Sequence, residues 1–405
     1  MESNVLSKTL KIAIVLDRFL PSRGGENYFS SLAQGLSERG HDVHIFAMKV
    51  EKDPNATYQV HRISAWKYPR SLMLLSFILK SGRILRSYNF DIIHGVGWNL
   101  AMNVFNPHGG VEEAYLKQEF LSITNPLYYA YKFVKRYLSV QHHIKIWVRR
   151  KQYRSDKVKR IIAISEMIKK DILRYHRIPE KKIAVIFNTV NLERFHPRNV
   201  ELHREEKRKS LGIDRNTILL AFAGNNYRLK GLEPLLRSLA LLRERFPKTP
   251  FRLLVLGRGN RRRYTRLAKR IGVSDLIVFL GHVGEVEQFY AASDIYVHPT
   301  FYDSCSLTVL EALASGLPVI TTRFNGAADA ILSKEGGEVI ENPANVENLA
   351  ESIAYYFDED RRKKARVVTR QWMENYSPAN HIKDILRVYD EVVKEEGSQM
   401  LGVHA

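Results

Sequence analysis

The stretch that decides the fold is TFYDSCSLTVLEALASGLPVITT, residues 300–322. Ser304 or Ser306 can cap a helix at its start, and leucines recur on one face of the helix that follows. A glycine and a proline then end the helix before the β-branched run VITT, which is typical of a buried strand. The stretch therefore predicts a loop, a helix and a strand, as in an α/β sheet.

Two carboxylates flank the start of this predicted helix, Asp303 in the loop and Glu311 within the helix. The unpaired N–H groups at a helix start favour a phosphate, by about 0.3–2 kcal/mol for the dipole contribution. Carboxylates repel phosphate but accept hydrogen bonds from hydroxyl groups, such as those of a sugar or a ribose. The layout suits a sugar–diphosphate–nucleoside ligand; the alternative is a solvated acid pair on a capped helix.

Outward from this stretch, short apolar runs alternate with helical patterns. KIAIVLD (11–17) and DVHIFAM (42–48) are predicted strands of the first half, and five further strand-like runs follow from residue 217. This alternation predicts an α/β fold with two doubly wound, Rossmann-like domains, whose ligand would bind in a cleft between them. The predicted limits are 1–195 for an acceptor-side domain, 196–375 for a nucleotide-sugar domain, and 376–405 for a helix that can pack back on the first domain.

Loops after the predicted strands carry further candidates. In AGNNYRLKGL, Arg228 and Lys230 precede a helix and can neutralise a leaving diphosphate, with solvated surface charges as the alternative. Gly24 and Gly25 would let a phosphate approach the backbone, although a plain loop fits as well. His108 in NPHGG can donate a hydrogen bond or carry a proton, or be an ordinary loop histidine. The histidines are scattered and predict no metal site.

Composition limits the class of protein. The single cysteine among 405 residues excludes an internal disulfide and favours a reducing compartment, and no apolar run reaches the length of a membrane span.

The formal net charge of +20 argues for an anionic partner. Twelve Lys or Arg but only two acids lie within residues 116–160, interleaved with aromatic residues. This segment predicts peripheral binding to an anionic membrane on the cytoplasmic side, and a helix with solvated cations is the alternative. The predicted membrane-facing residues are Lys132, Lys135, Arg136, Trp147, Arg149 and Arg150.

Together these motifs resemble the retaining GT-B glycosyltransferases of family four, over nearly the whole chain. PSRGGEN, IAVIFNTVNLERFHP, AGNNYRLKGL, LLVLGRG, FLGHV and DSCSLTVLEALASGLPVI follow the family's order and spacing. NYRLKG and YDSCSLTVLEALASGLPVITT are most similar to the bacterial lipopolysaccharide-core glucosyltransferase subgroup. The resemblance implies the GT-B fold, a nucleotide sugar as donor substrate (a UDP-sugar), no further cofactor and no metal.

The resemblance also implies roles for single residues. Glu311 would bind the ribose, Asp303 the transferred sugar, and Lys230 with Arg228 the diphosphate. His108 would lie near the reacting carbon, and the backbone near His282 would contact the base. The implied catalytic residues are His108, Asp303, Arg228 and Lys230. The implied donor-binding residues are Gly24, Gly25, Asn226, Arg228, Lys230, His282, Val283, Asp303, Ser306, Leu307, Thr308 and Glu311, with the amides of residues 306–308 directed at the phosphates.

This chain departs from the family pattern at three points. Asp303 stands where the family usually has glutamate, Arg228 is only two residues before Lys230, and NTVN replaces the usual Asn-Gly opening. The sequence therefore predicts a retaining hexosyltransferase acting on a glycan of lipopolysaccharide core or another lipid-linked or envelope glycan. A basic nucleic-acid-binding protein and a non-catalytic sugar-nucleotide-binding protein are the alternatives. A dehydrogenase is disfavoured because the dinucleotide glycine fingerprint is missing.

Overall fold

The computed structural model describes residues 8–20, 24–51, 53–66 and 68–402, with the helical backbone alone for 24–27 and 399–402. Across these ranges, no helix combines the length and the apolar character needed to cross a bilayer. The described residues form two compact units. The first comprises residues up to 114, residues 125–188 and the chain from 378 onward; the second comprises 115–124 and 189–377. The predicted domain limits at 195 and 375 stay predictions.

In the described part of the first unit, seven parallel strands form one sheet in the order β3-β2-β1-β4-β5-β6-β7. The strands are β1 (Lys11–Phe19), β2 (Asp42–Val50), β3 (Gln59–Arg62), β4 (Ile92–Gly95), β5 (Val104–Phe105), β6 (Arg160–Ala163) and β7 (Ile183–Val185). The helices are α1 (Gly24–Ser37), α2 (Arg70–Arg86), α3 (Glu112–Leu121), α4 (Pro126–Tyr137), α5 (Val140–Tyr153) and α6 (Glu166–His176). Helix α14 (Pro378–Gly402) belongs to the same unit.

The second unit forms a six-stranded parallel sheet within its described residues, in the order β10-β9-β8-β11-β12-β13. The strands are β8 (Ile218–Ala223), β9 (Phe251–Leu256), β10 (Ile277–Gly281), β11 (Ile295–His298), β12 (Val319–Thr322) and β13 (Gly337–Ile340). The helices are α7 (Asn199–Ser210), α8 (Leu232–Arg245), α9 (Arg261–Arg270), α10 (Val286–Ala292), α11 (Leu307–Ala314), α12 (Val346–Tyr355) and α13 (Glu359–Met373).

The central strands are buried on both faces, because helices cover each sheet from both sides. Residues 12–16 of β1 and all six residues of β8 are buried, which explains why both strands are uniformly apolar. Ile385 and Tyr389 of α14 share one core with α1 and β1. Leu235 and Leu239 of α8 pack in the core of the second unit. The prediction of two doubly wound, Rossmann-like domains is therefore confirmed.

Candidate active site

A lysine and an aspartate that are distant in sequence meet in the second unit. Lys230 lies after β8, and Asp303 lies after β11, the neighbouring strand. The Nζ atom of Lys230 lies 2.5 Å from Oδ2 of Asp303, and both side chains are largely buried. Since the carboxyl ends of neighbouring parallel strands meet at one edge of a sheet, the pair occupies the edge where α/β sheets bind ligands.

The backbone on both sides of this pair is held by local contacts. Gly231 has a φ of 78°, and a Cβ there would overlap the carbonyl oxygen of Pro299, so the turn after Lys230 requires glycine. The amide of Asp303 donates to the carbonyl of Phe324 at 2.9 Å, and its carbonyl accepts from the amide of Gly326 at 2.8 Å. The two charged side chains are therefore fixed by their own loops.

The surroundings of Asp303 keep its carboxylate charged. Burial alone would raise its pKa, but the charge of Lys230 and a hydrogen bond from His298 outweigh burial and hold the pKa well below its usual range. Nε2 of His298 lies 3.4 Å from Oδ2 of Asp303, and burial lowers the pKa of this histidine. Asp303 is thus an ionised group anchored by a cation and by a neutral imidazole.

Helix α11 begins four residues after Asp303, at Leu307, and no side chain caps its first turn. The hydroxyl of Ser306, the residue at the N-cap position, lies 3.0 Å from Oγ1 of Thr308. The amide of Ser306 donates to Oδ1 of Asn325 at 3.2 Å, so this amide has a partner within the chain, and its contact with a phosphate stays a prediction. The amides of Leu307 and Thr308 lie in the first turn, which has no acceptor within a helix. These two amides can hold an anion.

Glu311 lies one turn further along α11, and its pKa is shifted in the opposite direction to that of Asp303. The hydroxyl of Tyr290 donates to its Oε2 at 3.2 Å. Burial raises the pKa of Glu311 to about 7, and the hydrogen bond from Tyr290 and the charge of Arg194 only partly offset it. Near neutral pH this carboxyl is poised to gain charge when a ligand donates hydrogen bonds to it.

Arg228 is engaged by the short segment 115–124, which belongs to the second unit. Its guanidinium donates to the carbonyl of Glu119 at 2.9 Å and to the hydroxyl of Ser122, and it lies 3.4 Å from Oε1 of Glu119. In this structure Arg228 therefore pairs with the carboxylate of Glu119, whereas the sequence predicts a diphosphate as its anionic partner. Glu119 and Ser122 are not predicted from the sequence, because hydrophobic periodicity and loop positions do not show that segment 115–124 contacts the loop of Arg228.

The other predicted donor-binding residues of this unit follow β8 and β10. Asn226 is exposed, and its carbonyl accepts a hydrogen bond from the amide of Lys230 at 2.9 Å. His282 is exposed and Val283 is half-buried, directly after Gly281 at the end of β10. Their position at the carboxyl edge of the sheet fits the predicted contact with a base, which stays a prediction.

In the first unit, His108 lies in the loop after β5. Its ring packs against Tyr28 and Phe29, with centroid distances of 4.9 and 5.0 Å. Burial, and then the nearby His381, lower the pKa of His108 to about 4, so the imidazole is neutral at pH 7. It suits hydrogen bonding better than carrying a proton. Gly24 and Gly25 are the first residues of α1, and their surroundings lie outside the described part of the chain.

A second polar group of the first unit lies where β1 and β4 end. Oδ1 of Asp17 accepts from the amide of Trp98 at 3.1 Å, and the guanidinium of Arg149 lies 4.2 Å from the centre of the Trp98 ring. Burial raises the pKa of Asp17, although the Trp98 amide and the charge of Arg149 oppose this. The side chain of Arg149 is thus half-buried against Trp98, and the prediction that it faces a membrane stays a prediction. Asp17 directly follows the buried residues 12–16 of β1, and an acid in this position could have indicated the polar group from the sequence.

Helix α4 is the exposed element of the first unit that carries the basic and aromatic residues of the predicted membrane surface. None of its described side chains is buried. Leu127 is 81% exposed, Tyr137 70% and Leu138, which follows the helix, 71%. Trp147 and Arg150 on α5 are also exposed, Lys135 is exposed, and Lys132 and Arg136 are half-buried. Large apolar side chains in such numbers are unusual on a surface that only water covers.

The two halves of the chain match two glycosyltransferase families. Residues 22–194 match the family described as Glycosyltransferase Family 4, and residues 203–372 match the family described as Glycosyl transferases group 1. The two matches are consecutive and together cover most of the chain.

Relatives of similar length support this assignment. The chain is 22% identical to the lipopolysaccharide glucosyltransferase WaaG of Escherichia coli K12, covering 93% of this chain and 95% of the relative. It is 25% identical to the uncharacterized glycosyltransferase MJ1607 of Methanocaldococcus jannaschii, covering 95% and 96%. A D-inositol 3-phosphate glycosyltransferase of Corynebacterium urealyticum is 30% identical over 53% of each chain.

Solved structures share the fold. The crystal structure of WaaG, a glycosyltransferase involved in lipopolysaccharide biosynthesis, matches with a TM-score of 0.77 and 20% identity, covering 93% of this chain and 99% of that one. The structure of HepE from Anabaena in complex with UDP and glucose matches with a TM-score of 0.70 and 14% identity, covering 94% and 99%. This chain is therefore a GT-B glycosyltransferase, in which a family 4 domain precedes a group 1 domain.

Proposed function

We propose that this chain is a retaining hexosyltransferase that uses a nucleotide diphosphate sugar of the UDP-glucose type as donor and a glycan as acceptor. The observation that carries the proposal is the Lys230–Asp303 pair beside the uncapped first turn of α11, with Glu311 on the same helix. The printed activities of similar proteins support it, because the E. coli relative is a glucosyltransferase and HepE has been solved with UDP-glucose.

Each part of the donor has a partner in this arrangement. The diphosphate would bind Lys230 and the amides of Leu307 and Thr308, since a cation and a helix start both favour phosphate. The ribose hydroxyls would donate to Glu311. A hydroxyl of the transferred sugar would donate to Asp303, which is ionised and accepts hydrogen bonds only. The backbone at residues 282–283 would contact the base.

In the proposed reaction, the bond between the anomeric carbon and the diphosphate oxygen breaks while the acceptor oxygen bonds to that carbon on the same face. Negative charge develops on the leaving diphosphate, and Lys230 stabilises it in the transition state. The acceptor proton passes to an oxygen of the leaving phosphate. Asp303 is a poor nucleophile for a double displacement, because Lys230 and His298 both engage its Oδ2 atom. In this proposal Lys230, together with Arg228, takes the part that a metal ion plays in other transferases.

We propose that the acceptor is lipid-linked, as in lipopolysaccharide core, and that α4 binds the cytoplasmic face of an anionic membrane. The exposed aromatic and leucine side chains of α4 would enter the interface, and Lys132, Lys135 and Arg136 would approach the lipid phosphates. His108, as a neutral imidazole, would hydrogen-bond a hydroxyl of the acceptor glycan.

The transfer reaction is tested by incubating the protein with a panel of nucleotide sugars and a truncated lipopolysaccharide-core acceptor. NMR of the product should show the donor's anomeric configuration, with a UDP-hexose as the best donor. An inverted product would contradict retention. If the protein binds the donor but neither transfers its sugar to a glycan nor hydrolyses it slowly, the non-catalytic alternative is favoured. If it binds DNA tightly at matched salt and does not bind the donor, the nucleic-acid alternative is favoured.

Membrane binding is tested by replacing Lys132, Lys135, Arg136 and Arg150 with glutamine. Each basic residue near an anionic surface contributes about 1 kcal/mol, so co-sedimentation with phosphatidylglycerol vesicles should weaken by about 10²-fold or more. A matched variant replaces Lys248, Lys269, Arg270 and Lys364, which are exposed residues of the second unit. Equal losses in both variants would show a general charge effect and contradict a role for α4.

A further inference from the structure

The second unit has a cavity at the edge of its sheet opposite to Lys230 and Asp303. Its volume is about 430 Å³, and it is lined by residues next to the first residues of β8, β11 and β12, together with side chains of α7 and α13. Lys230 and Asp303 lie beyond the last residues of β8 and β11. Because these strands are parallel, their first and last residues lie at opposite edges of the sheet. The cavity is therefore separate from the proposed donor site.

The lining of this cavity is strongly basic. Five of its side chains are positively charged and two are negatively charged. The five cations are Arg204, Arg215, Arg362, Lys363 and Arg366, and the two acids are Asp294 and Glu359. The excess of positive charge is concentrated on one small concave surface, which favours an anionic ligand.

Most of these cations already have protein partners. Arg204 pairs with Asp294 at 2.6 Å and also donates to carbonyls at the end of α10. Lys363 pairs with Glu359 at 3.0 Å, and Arg362 donates to the carbonyl of Phe357 at 2.7 Å. Arg215 pairs with an exposed glutamate outside the cavity. These contacts fix the wall of the cavity.

Arg366 is different. Over the described ranges of the chain, its guanidinium has no carboxylate within ion-pair distance and donates no hydrogen bond to a backbone or side-chain acceptor, although the residue is half-buried. Its side chain packs closely against Gly316, at the end of α11, which holds it in place. Burial and the neighbouring Arg204 both disfavour its charged form. A guanidinium in such a position normally has an anionic partner, because burying an unpaired charge is costly.

We propose that this cavity is a second anion site, which binds a phosphate group through Arg366 together with Arg362 and Arg204. Guanidinium groups match phosphate oxygens with paired, charge-assisted hydrogen bonds, and the space suffices for a phosphate or diphosphate on a small ligand. The site is independent of the proposed transfer reaction. Its phosphate can come from a soluble molecule or from a lipid headgroup, and the experiment distinguishes these sources.

The experiment uses Arg366→Gln and, as a matched control on the same helix, Lys364→Gln. Lys364 is exposed, pairs with Glu335 and does not line the cavity. A third variant, Lys230→Gln, removes the cation of the proposed donor site. Pyrophosphate is titrated calorimetrically into each protein at constant ionic strength, and thermal unfolding in chloride checks that each variant is folded.

The proposal predicts a pyrophosphate site whose affinity falls at least tenfold in Arg366→Gln. The affinity of the same site should stay within twofold of the wild type in Lys364→Gln, and Lys230→Gln should retain this site. Co-sedimentation with phosphatidylglycerol vesicles then identifies the source. Equal vesicle binding by Arg366→Gln and Lys364→Gln assigns the site to a soluble phosphate, and a larger loss in Arg366→Gln assigns it to a lipid headgroup. Unchanged pyrophosphate affinity in folded Arg366→Gln, or binding that only Lys230→Gln abolishes, would overturn the proposal.

Discussion

The loop before α11 and the helix itself each hold a carboxylate, but their electrostatics are opposite. Asp303 lies 2.5 Å from a lysine and its pKa is held low, whereas Glu311 faces a tyrosine hydroxyl and its pKa is raised to about 7. Within the described residues, no lysine or arginine lies within ion-pair distance of Glu311. The difference shows that burial raises the pKa of a carboxyl group unless a cation is in contact with it. Asp303 is therefore ionised at neutral pH, whereas Glu311 is partly protonated there.

Breaking the charged pair should have the largest effect. Lys230→Ala removes the cation beside the leaving group, and we expect kcat to fall about 10²–10³-fold. It also leaves Asp303 charged and unpaired, so the free energy of unfolding should fall by about 3 kcal/mol. Steady-state kinetics and urea unfolding measure both effects.

A double variant separates these two roles of Lys230. Adding Asp303→Asn to Lys230→Ala removes the unpaired charge, so stability should recover while kcat stays low, as it also should because Asp303 is proposed to contact the transferred sugar. The diagnostic result is therefore a recovery of activity. If activity recovers together with stability, Lys230 acts only as a structural partner of Asp303 and the proposed charge stabilisation is wrong.

Removing the other acid tests the ribose contact. Glu311→Ala should reduce kcat/KM for the nucleotide sugar by on the order of 10²-fold, because hydrogen bonds to a charged group contribute about 1.5–3 kcal/mol. Glu285, an exposed acid next to α10, gives the matched control Glu285→Ala, which should behave like the wild type. Activity of Glu311→Ala within threefold of the wild type would contradict the assignment.

The raised pKa of Glu311 predicts a pH dependence of donor binding. Below pH 7 the carboxyl is mainly protonated and loses acceptor capacity, so the affinity for UDP-glucose should rise about tenfold between pH 6 and pH 8. Calorimetric titrations of the wild type and of Glu311→Gln, which cannot titrate, measure this. An equal pH dependence in both proteins would place the titrating group elsewhere.

The raised pKa of Glu311 also predicts that this residue reduces the stability of the fold as pH rises from about 4.5 to 7. In this range the folded state keeps a proton on Glu311 that the unfolded chain has lost.

The smallest effect is expected at the second cation. Glu119→Gln removes the negative charge next to Arg228 but keeps the hydrogen bonds of its guanidinium to the carbonyl of residue 119 and to Ser122. Arg228 should then attract a diphosphate more strongly, so donor affinity should increase by about two- to fivefold. Surface plasmon resonance with UDP-glucose can resolve a change of this size. A loss of affinity would instead show that Glu119 orients Arg228 for the donor.

The sequence predicted the fold well where its signal is long and local. The runs of β1 and β8 are continuously apolar and the helix after Asp303 has leucines on one face, whereas β3, β6, β7 and β13 were not predicted from the sequence. For the site, residue types and loop positions predicted Lys230, Asp303 and Glu311 as candidates, and the structure brings the first two into contact.

The contacts that the sequence did not predict join distant segments. Glu119 reaches Arg228 from a segment more than a hundred residues away, and Arg149 packs against the ring of Trp98. Basic residues also look alike in a sequence, which therefore does not distinguish the half-buried Arg149 and Arg366 from exposed cations. Burial and the presence or absence of a partner distinguish them, and both are properties of the folded chain.

The central claim is that a nucleotide diphosphate sugar binds at the carboxyl edge of the second sheet, along α11. A crystal structure of the protein with UDP-glucose tests it most directly. We predict the ribose hydroxyls within about 3.2 Å of Glu311 and the diphosphate on Lys230 and the first turn of α11. A ribose away from Glu311, or a diphosphate that contacts neither Lys230 nor α11, would contradict the account.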